Sequence, residues 1–254
     1  MASFRSLLVS GKTILGMFLQ IPASEIAEIL GISGFDCAIA DVEHGMFGID
    51  AGLSIVRACD AVGIASIYRV PAVEPHRITQ ALDFGASAVM VPNIHKAEEA
   101  ELAVQSAKYH PRGKRGVCPF TRGARYNSVG DLDYYNRSNR ETCILLQIEA
   151  EDGIANLDEI MEVPNIDCIF IGPFDLSHAL GIPGRITDER VLNAIKAIAK
   201  KTERKGIALG NFPVTFEQAR LYRGMGVRFL AYGADTLIIS ETFRSIRNEI
   251  LGPT

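Results

Sequence analysis

The chain has 254 residues, a formal net charge of −4 and 48% hydrophobic residues, enough for one large core. Mild acidity and the lack of a dense Lys/Arg run argue against a nucleic-acid partner. The apolar runs are all shorter than a membrane span, and the start MASFRSLLVSGK lacks the long apolar region of a secretory signal.

Strands and helices alternate from the start. Thr13–Leu19 reads as a strand and Ser24–Leu30 as an amphipathic helix. Cys37–Asp41 is followed by a helix over Asp50–Val62, and Ala65–Val70 by one over Pro75–Phe84, which opens on proline. Ala88–Asn93 precedes Lys96–Tyr109. Residues 110–142 then break the rhythm with a long polar and aromatic stretch, of a length usually found in functional loops or interfaces. The alternation resumes with Cys143–Glu149, Ile154–Met161, Cys168–Gly172, Asp188–Lys205, Ile207–Asn211, Thr215–Met225, Phe229–Gly233 and Thr236–Leu251. Gly31, Gly63, Gly85, Gly206 and Gly226 each stand between a helix and the next strand, as left-handed helix caps do.

Apolar strands of this kind suit a parallel sheet covered on both faces. Eight repeats of strand and helix predict an α/β fold, a (β/α)8 barrel over residues 1–254 with a long insertion at 110–142. The competing doubly wound sheet would usually carry a glycine-rich phosphate loop, and no GxGxxG occurs. Five cysteines without a CxxC pair read as reduced thiols of a cytoplasmic protein.

In such a barrel the chemistry sits at the carboxyl ends of the strands. There the second strand brings Asp41, Glu43 and His44, and the third Arg69. The fifth carries Gln147 and Glu149 on one face, two residues apart, and the sixth runs through Gly172 to Asp175. Singly, each could be a solvated loop charge. Together, Glu149 and Asp175 offer hard oxygen ligands for Mg²⁺, Mn²⁺ or a similar ion. His44 is the candidate acid/base, and Arg69 a fixed positive charge for a developing oxyanion. None of the lysines falls within a strand, so a Schiff-base mechanism has no obvious nucleophile. In the long insertion, Arg122 and Arg125 stand among Phe120, Tyr126, Tyr134 and Tyr135. Subunit packing explains that composition, and the sharper reading has one arginine gripping an acidic substrate group in an active site.

The motifs DVEHG, YRVP, ALDFGASAVMVPNI, RGKRGVCPFTRGARYN, LLQIEAEDGIANLDEI, CIFIGPFDLSHALG and FLAYGAD together resemble the HpcH/HpaI aldolase family, over nearly the whole chain and in order. The resemblance implies a pyruvate-type barrel and a class II aldolase. Such an enzyme cleaves a 4-hydroxy-2-oxo acid to pyruvate, or a similar 2-oxo acid, and an aldehyde, with Mg²⁺, Mn²⁺ or Co²⁺. It implies Glu149 and Asp175 as metal ligands, His44 as base, Arg69 at the enolate oxygen and Gln147 as a substrate contact. Backbone amides near Phe174 and Asp175 would seat the carboxylate. Asp83 would make the histidine more basic, and Asp41 would orient it. It also implies a homotrimer or homohexamer with the last helix exchanged between subunits, which suits the apolar Leu237, Ile238 and Ile239. The sequence departs from the family in Gly45-Met46-Phe47-Gly48 after the histidine and in Phe174 before the second ligand, changes that bear on the aldehyde. The alternatives are an oxaloacetate decarboxylase or acyl-CoA lyase using the same enolate, and a non-catalytic binding barrel.

Overall fold

The computed structural model describes residues 3–127, 129–131 and 133–253. In chain order the elements are α1 (Phe4–Val9), β1 (Ile14–Leu19), α2 (Ser24–Ile32), β2 (Cys37–Asp41), α3 (Ile49–Val62), β3 (Ala65–Arg69), α4 (Pro75–Asp83), β4 (Ala88–Val91), α5 (Ala97–Ala107), α6 (Tyr134–Glu141), β5 (Cys143–Ile148), α7 (Glu151–Ala155), α8 (Leu157–Ile160), β6 (Cys168–Ile171), α9 (Pro173–Ala179), α10 (Glu189–Lys205), β7 (Ala208–Asn211), α11 (Phe216–Gly224), β8 (Phe229–Ala234) and α12 (Asp235–Leu251). Each strand pairs in parallel with the next, and β1 pairs with β8, so the sheet closes in sequence order. This is the expected barrel.

The two-residue period of the strands sorts their side chains into two cores. Outward residues such as Ala38, Ala40, Val89, Ile144, Ile169 and Leu209 join the helices in one layer. Inward residues, among them Phe18, Ile39, Ile67, Met90, Leu145, Phe170 and Phe229, fill the barrel axis. Phe18 meets Phe170 edge to face at 5.9 Å, and Phe170 meets Phe229 at 5.7 Å. Gly210 makes that stack possible, because a Cβ there would lie 2.5 Å from the Phe170 ring. The same parity carries Asp41, Arg69 and Gln147 to the top of the interior, one step beyond the last apolar layer.

The short helix α1 lies outside the alternation and seals the foot of the barrel. Ser3 caps it by accepting from Ser6 N, and Phe4 packs edge to face on Phe229 at 6.0 Å. Arg5 fastens it to Asp167.

Three details differ from the sequence expectation. Residues 110–142 end in a helix, α6, and the whole stretch joins α5 to β5, so it wraps the amino-terminal rim. Helix α9 follows the sixth strand directly, starting on the helix-compatible Pro173. Gly31 is not a cap but lies inside α2, where a Cβ would collide with Val62 of α3; Gly34, at φ +85°, takes the left-handed position. Gly63, Gly85, Gly206 and Gly226 all have positive φ, as expected of caps.

Candidate active site

Arg69 is the centre of the carboxyl-terminal mouth. It is buried, and β2–β3 register sets it directly beside Asp41. Its Nε donates to Asp41 Oδ1 at 2.9 Å, and Nη2 lies 2.7 Å from Asp41 Oδ2. Nη1 donates to Gln147 Oε1 at 3.3 Å and lies 3.0 Å from Glu43 Oε2. The guanidinium carbon sits 4.6 Å from the centre of the Phe18 ring, a cation–π contact. Held on both edges and one face, the guanidinium has a fixed position.

Asp41 is an orienting group. Burial pushes its carboxyl up, but the hydrogen bond and charge of Arg69 prevail and hold it below the usual range. It also accepts from His44 N at 3.1 Å, tying down the turn after β2, and from Gln20 Nε2 at 3.1 Å. The His44 side chain is 62% exposed and reaches over the mouth, its Nε2 3.8 Å from Glu43 Oε2.

Glu43, Glu149 and Asp175 form a group of mutually repelling acids. Burial pushes Glu149 up to about 7, with Glu43 and Asp175 adding to the shift. Burial likewise raises Glu43, with Asp41 and Asp175 contributing, against the pull of Arg69. Asp175 is raised chiefly by burial. Carboxylates brought so close resist ionising together, and a divalent cation relieves that repulsion. Among the described residues no three His, Cys, Asp or Glu form a ready-made cage. Two carboxylates such as Glu149 and Asp175 would leave a hard cation most of its positions for water and substrate oxygens. Gly172, which caps α9, leaves room for the Asp175 carboxylate where a Cβ would strike it. Phe174 follows Pro173 in the first turn of α9 and is 44% exposed at the rim.

Two amides missed by a search for ionisable groups complete the mouth. Asn93, at φ +54°, donates from Nδ2 to Glu43 Oε1 at 3.2 Å, and its N–H lies 3.5 Å from Glu149 Oε1. Gln20 links Asp41 to Thr236, whose hydroxyl donates to Gln20 Oε1 at 3.0 Å. Their position just past a strand end was the available signal.

Two expected residues stand elsewhere. Asp83 closes α4 at the opposite rim and pairs with Arg115 at 2.6 Å, so within the chain it cannot act on His44. Arg122, also at that rim, lies 2.5 Å from Asp60 and donates to Phe84 O at 2.9 Å. It does not enter the chain's own mouth, because the connection that carries it runs from a helix to a strand.

The model of the HpcH/HpaI aldolase/citrate lyase family matches residues 15–241, spanning the barrel and every residue of the mouth. The chain belongs to that family. A hydroxypyruvate/pyruvate aldolase of Deinococcus radiodurans is 35% identical over 96% of this chain and 88% of its own. A 4-hydroxy-2-oxo-heptane-1,7-dioate aldolase of Klebsiella pneumoniae is 34% identical over 94% and 90%. The crystal structure of an HpcH/HpaI aldolase/citrate lyase family protein from Burkholderia cenocepacia superposes with a TM-score of 0.89 at 29% identity, covering 97% of this chain and 98% of that one. With relatives named as aldolases over nearly its whole length, this chain is a lyase.

Proposed function

We propose that the mouth binds a 2-oxo acid and a divalent cation and reversibly cleaves a 4-hydroxy-2-oxo acid to pyruvate, or a close analogue, and an aldehyde. The observation that carries this reading is the buried Arg69 facing three carboxylates, with Glu149 raised to about 7. Glu149 and Asp175 would hold Mg²⁺, Mn²⁺ or Co²⁺, which when bound supplies Lewis-acid stabilisation of an enolate oxygen.

The chain's own residues do the rest. Arg69 sets a permanent positive charge where the 2-oxo oxygen becomes negative. Gln147 orients the substrate beside it, and N–H groups in the first turn of α9, at Phe174 and Asp175, receive the carboxylate. His44 takes the proton of the 4-hydroxyl; C3–C4 then breaks, the aldehyde departs, and the pyruvate enolate regains a proton at C3. Asp41 positions both His44 and Arg69. An acyl-CoA lyase would need a basic patch at the mouth for the phosphates of its substrate; the basic stretch 110–125 lies at the other rim. Decarboxylation of oxaloacetate would use the same enolate and is a side activity to measure alongside.

We also infer that the chain works in the cytoplasm as a homotrimer or homohexamer. Its five cysteines are unpaired. The far half of α12 leaves Phe243, Ile246, Ile250 and Leu251 exposed, an apolar stripe suited to a second copy.

The deciding experiment is proton exchange at the pyruvate methyl group, followed by NMR in D₂O with Mn²⁺ or Mg²⁺ and again with EDTA. Exchange that requires the metal supports the enolate. No exchange with any divalent metal overturns it.

A further inference from the structure

The mouth has two unlike halves. The polar groups described above stand on β2 to β6. The rest of the ring, β7, β8 and β1, is a continuous arc because the barrel closes between β8 and β1, and its rim is apolar. Phe212, just past β7, is partly exposed and packs edge to face on Phe18 at 5.5 Å. Phe174 extends this surface at the neighbouring strand end.

The charges of the arc are as telling. In its connecting segments, 20–23 and 212–215, and at the junction of β8 with α12, the one ionisable side chain is Asp235. It is buried, and accepts from Gln20 N at 2.9 Å, Ile21 N at 3.0 Å and Thr236 N at 2.7 Å. The first turns of α2 and α11 add Glu25 and Glu217, again acids. Arg69 is engaged by Asp41, Glu43 and Gln147, and Lys96 caps α5, on the far side of the ring. A carboxylate on this arc would lose water and meet aromatic rings and acids.

We infer that the acceptor aldehyde of this chain is uncharged and carries an apolar substituent, alkyl or arylalkyl, which lies against Phe212 and Phe174. The inference rests on the enolate reading above: with the 2-oxo acid held by the polar half, C4 and its substituent face the arc. In the addition direction, C3 of the enolate bonds to the aldehyde carbon. The carbonyl π pair moves to the aldehyde oxygen, which takes up the proton that left the pyruvate methyl group. Pyruvate and aldehyde become one 4-hydroxy-2-oxo acid, and nothing else is consumed.

The test uses the full chain with Mn²⁺ and pyruvate. It measures kcat/KM for pentanal, phenylacetaldehyde and succinic semialdehyde by NMR of the aldol product, with pyruvate exchange followed in the same samples. The apolar aldehydes are expected to exceed the semialdehyde by about tenfold or more, the scale on which apolar pockets discriminate. Phe212→Arg should shrink or invert that ratio. Phe174→Arg repeats the test at an exposed rim position. Pyruvate exchange combined with preference for the semialdehyde overturns this inference and leaves the enolate reading standing, as does a ratio unmoved in both variants. Absence of exchange overturns both.

Discussion

Arg69 shows how one residue can settle the charges of a site. Its contacts divide the acids of the mouth into two kinds. Asp41, paired on both oxygens, stays ionised and structural; Glu149, without such a partner, is left near neutrality. Two expectations belong to this scale. His44→Ala should lower turnover by about 10²–10⁴-fold, the usual contribution of a general base, with cation affinity retained; near wild-type turnover would remove His44 from the mechanism. A cation at Glu149 has to displace its proton, so Mn²⁺ affinity should rise by up to about tenfold per pH unit and level off above about 7. Calorimetric titration across that range, in the wild type and in Glu149→Gln, checks this; an affinity flat with pH, or unchanged in the variant, would refute it. Without a cation the sign reverses for stability. The raised carboxyl favours the folded state while protonated, and that contribution is lost as pH rises through about 7.

At the scale of elements, the long connection from α5 to β5 is held by its ends. Lys108 is fully buried, and its Nζ donates to Asn139 O at 3.1 Å and Thr142 O at 2.5 Å. Asn139 returns the tie, accepting from Tyr109 N at 2.7 Å and donating to Tyr109 O at 2.9 Å. Burial lowers the Lys108 ammonium to about 8. A depressed lysine binds fewer protons folded than unfolded, so stability should rise with pH between about 8 and the unfolded value near 10.4. Lys108→Met should abolish that slope. It should also cost on the order of 1–3 kcal/mol for each carbonyl left without a donor. Denaturant melts at several pH values check both; an unchanged midpoint would mean the carbonyls find other donors. The sequence reading held for all eight strands, because parallel barrel strands are short, apolar and β-branched whatever their position. It missed α6, whose residues Tyr134–Glu141 are all polar or charged after the two leading tyrosines. For the arginines of residues 110–142 it left two readings, subunit packing and a grip on substrate in an active site. The order of elements gives the place of the stretch: a segment after a helix and before a strand lies at the foot of the barrel. Asn93 and Gln20 stayed hidden because uncharged amides leave no mark in a count of acids and bases, and the apolar arc because its members lie far apart along the chain.

For the whole molecule, the two rims have different work. The carboxyl-terminal rim gathers the acids, the imidazole and the aromatic arc. The amino-terminal rim carries the fastened connection with its exposed Val117, Phe120 and Tyr126. Away from both, the apolar stripe of α12 sets the assembly expectation. Phe243→Glu with Ile250→Glu should lower the particle mass in light scattering, and a wild-type chain that runs as a monomer would refute the oligomer. The closed foot has a consequence of its own. With Phe4, Phe229, Phe170 and Phe18 stacked along the axis, the barrel has, among the described residues, a single doorway and no rear exit. A reactive aldehyde set free there is handed to bulk water, where hydration and the amines of passing proteins compete for it, so whatever consumes it downstream has to win a race in open solution.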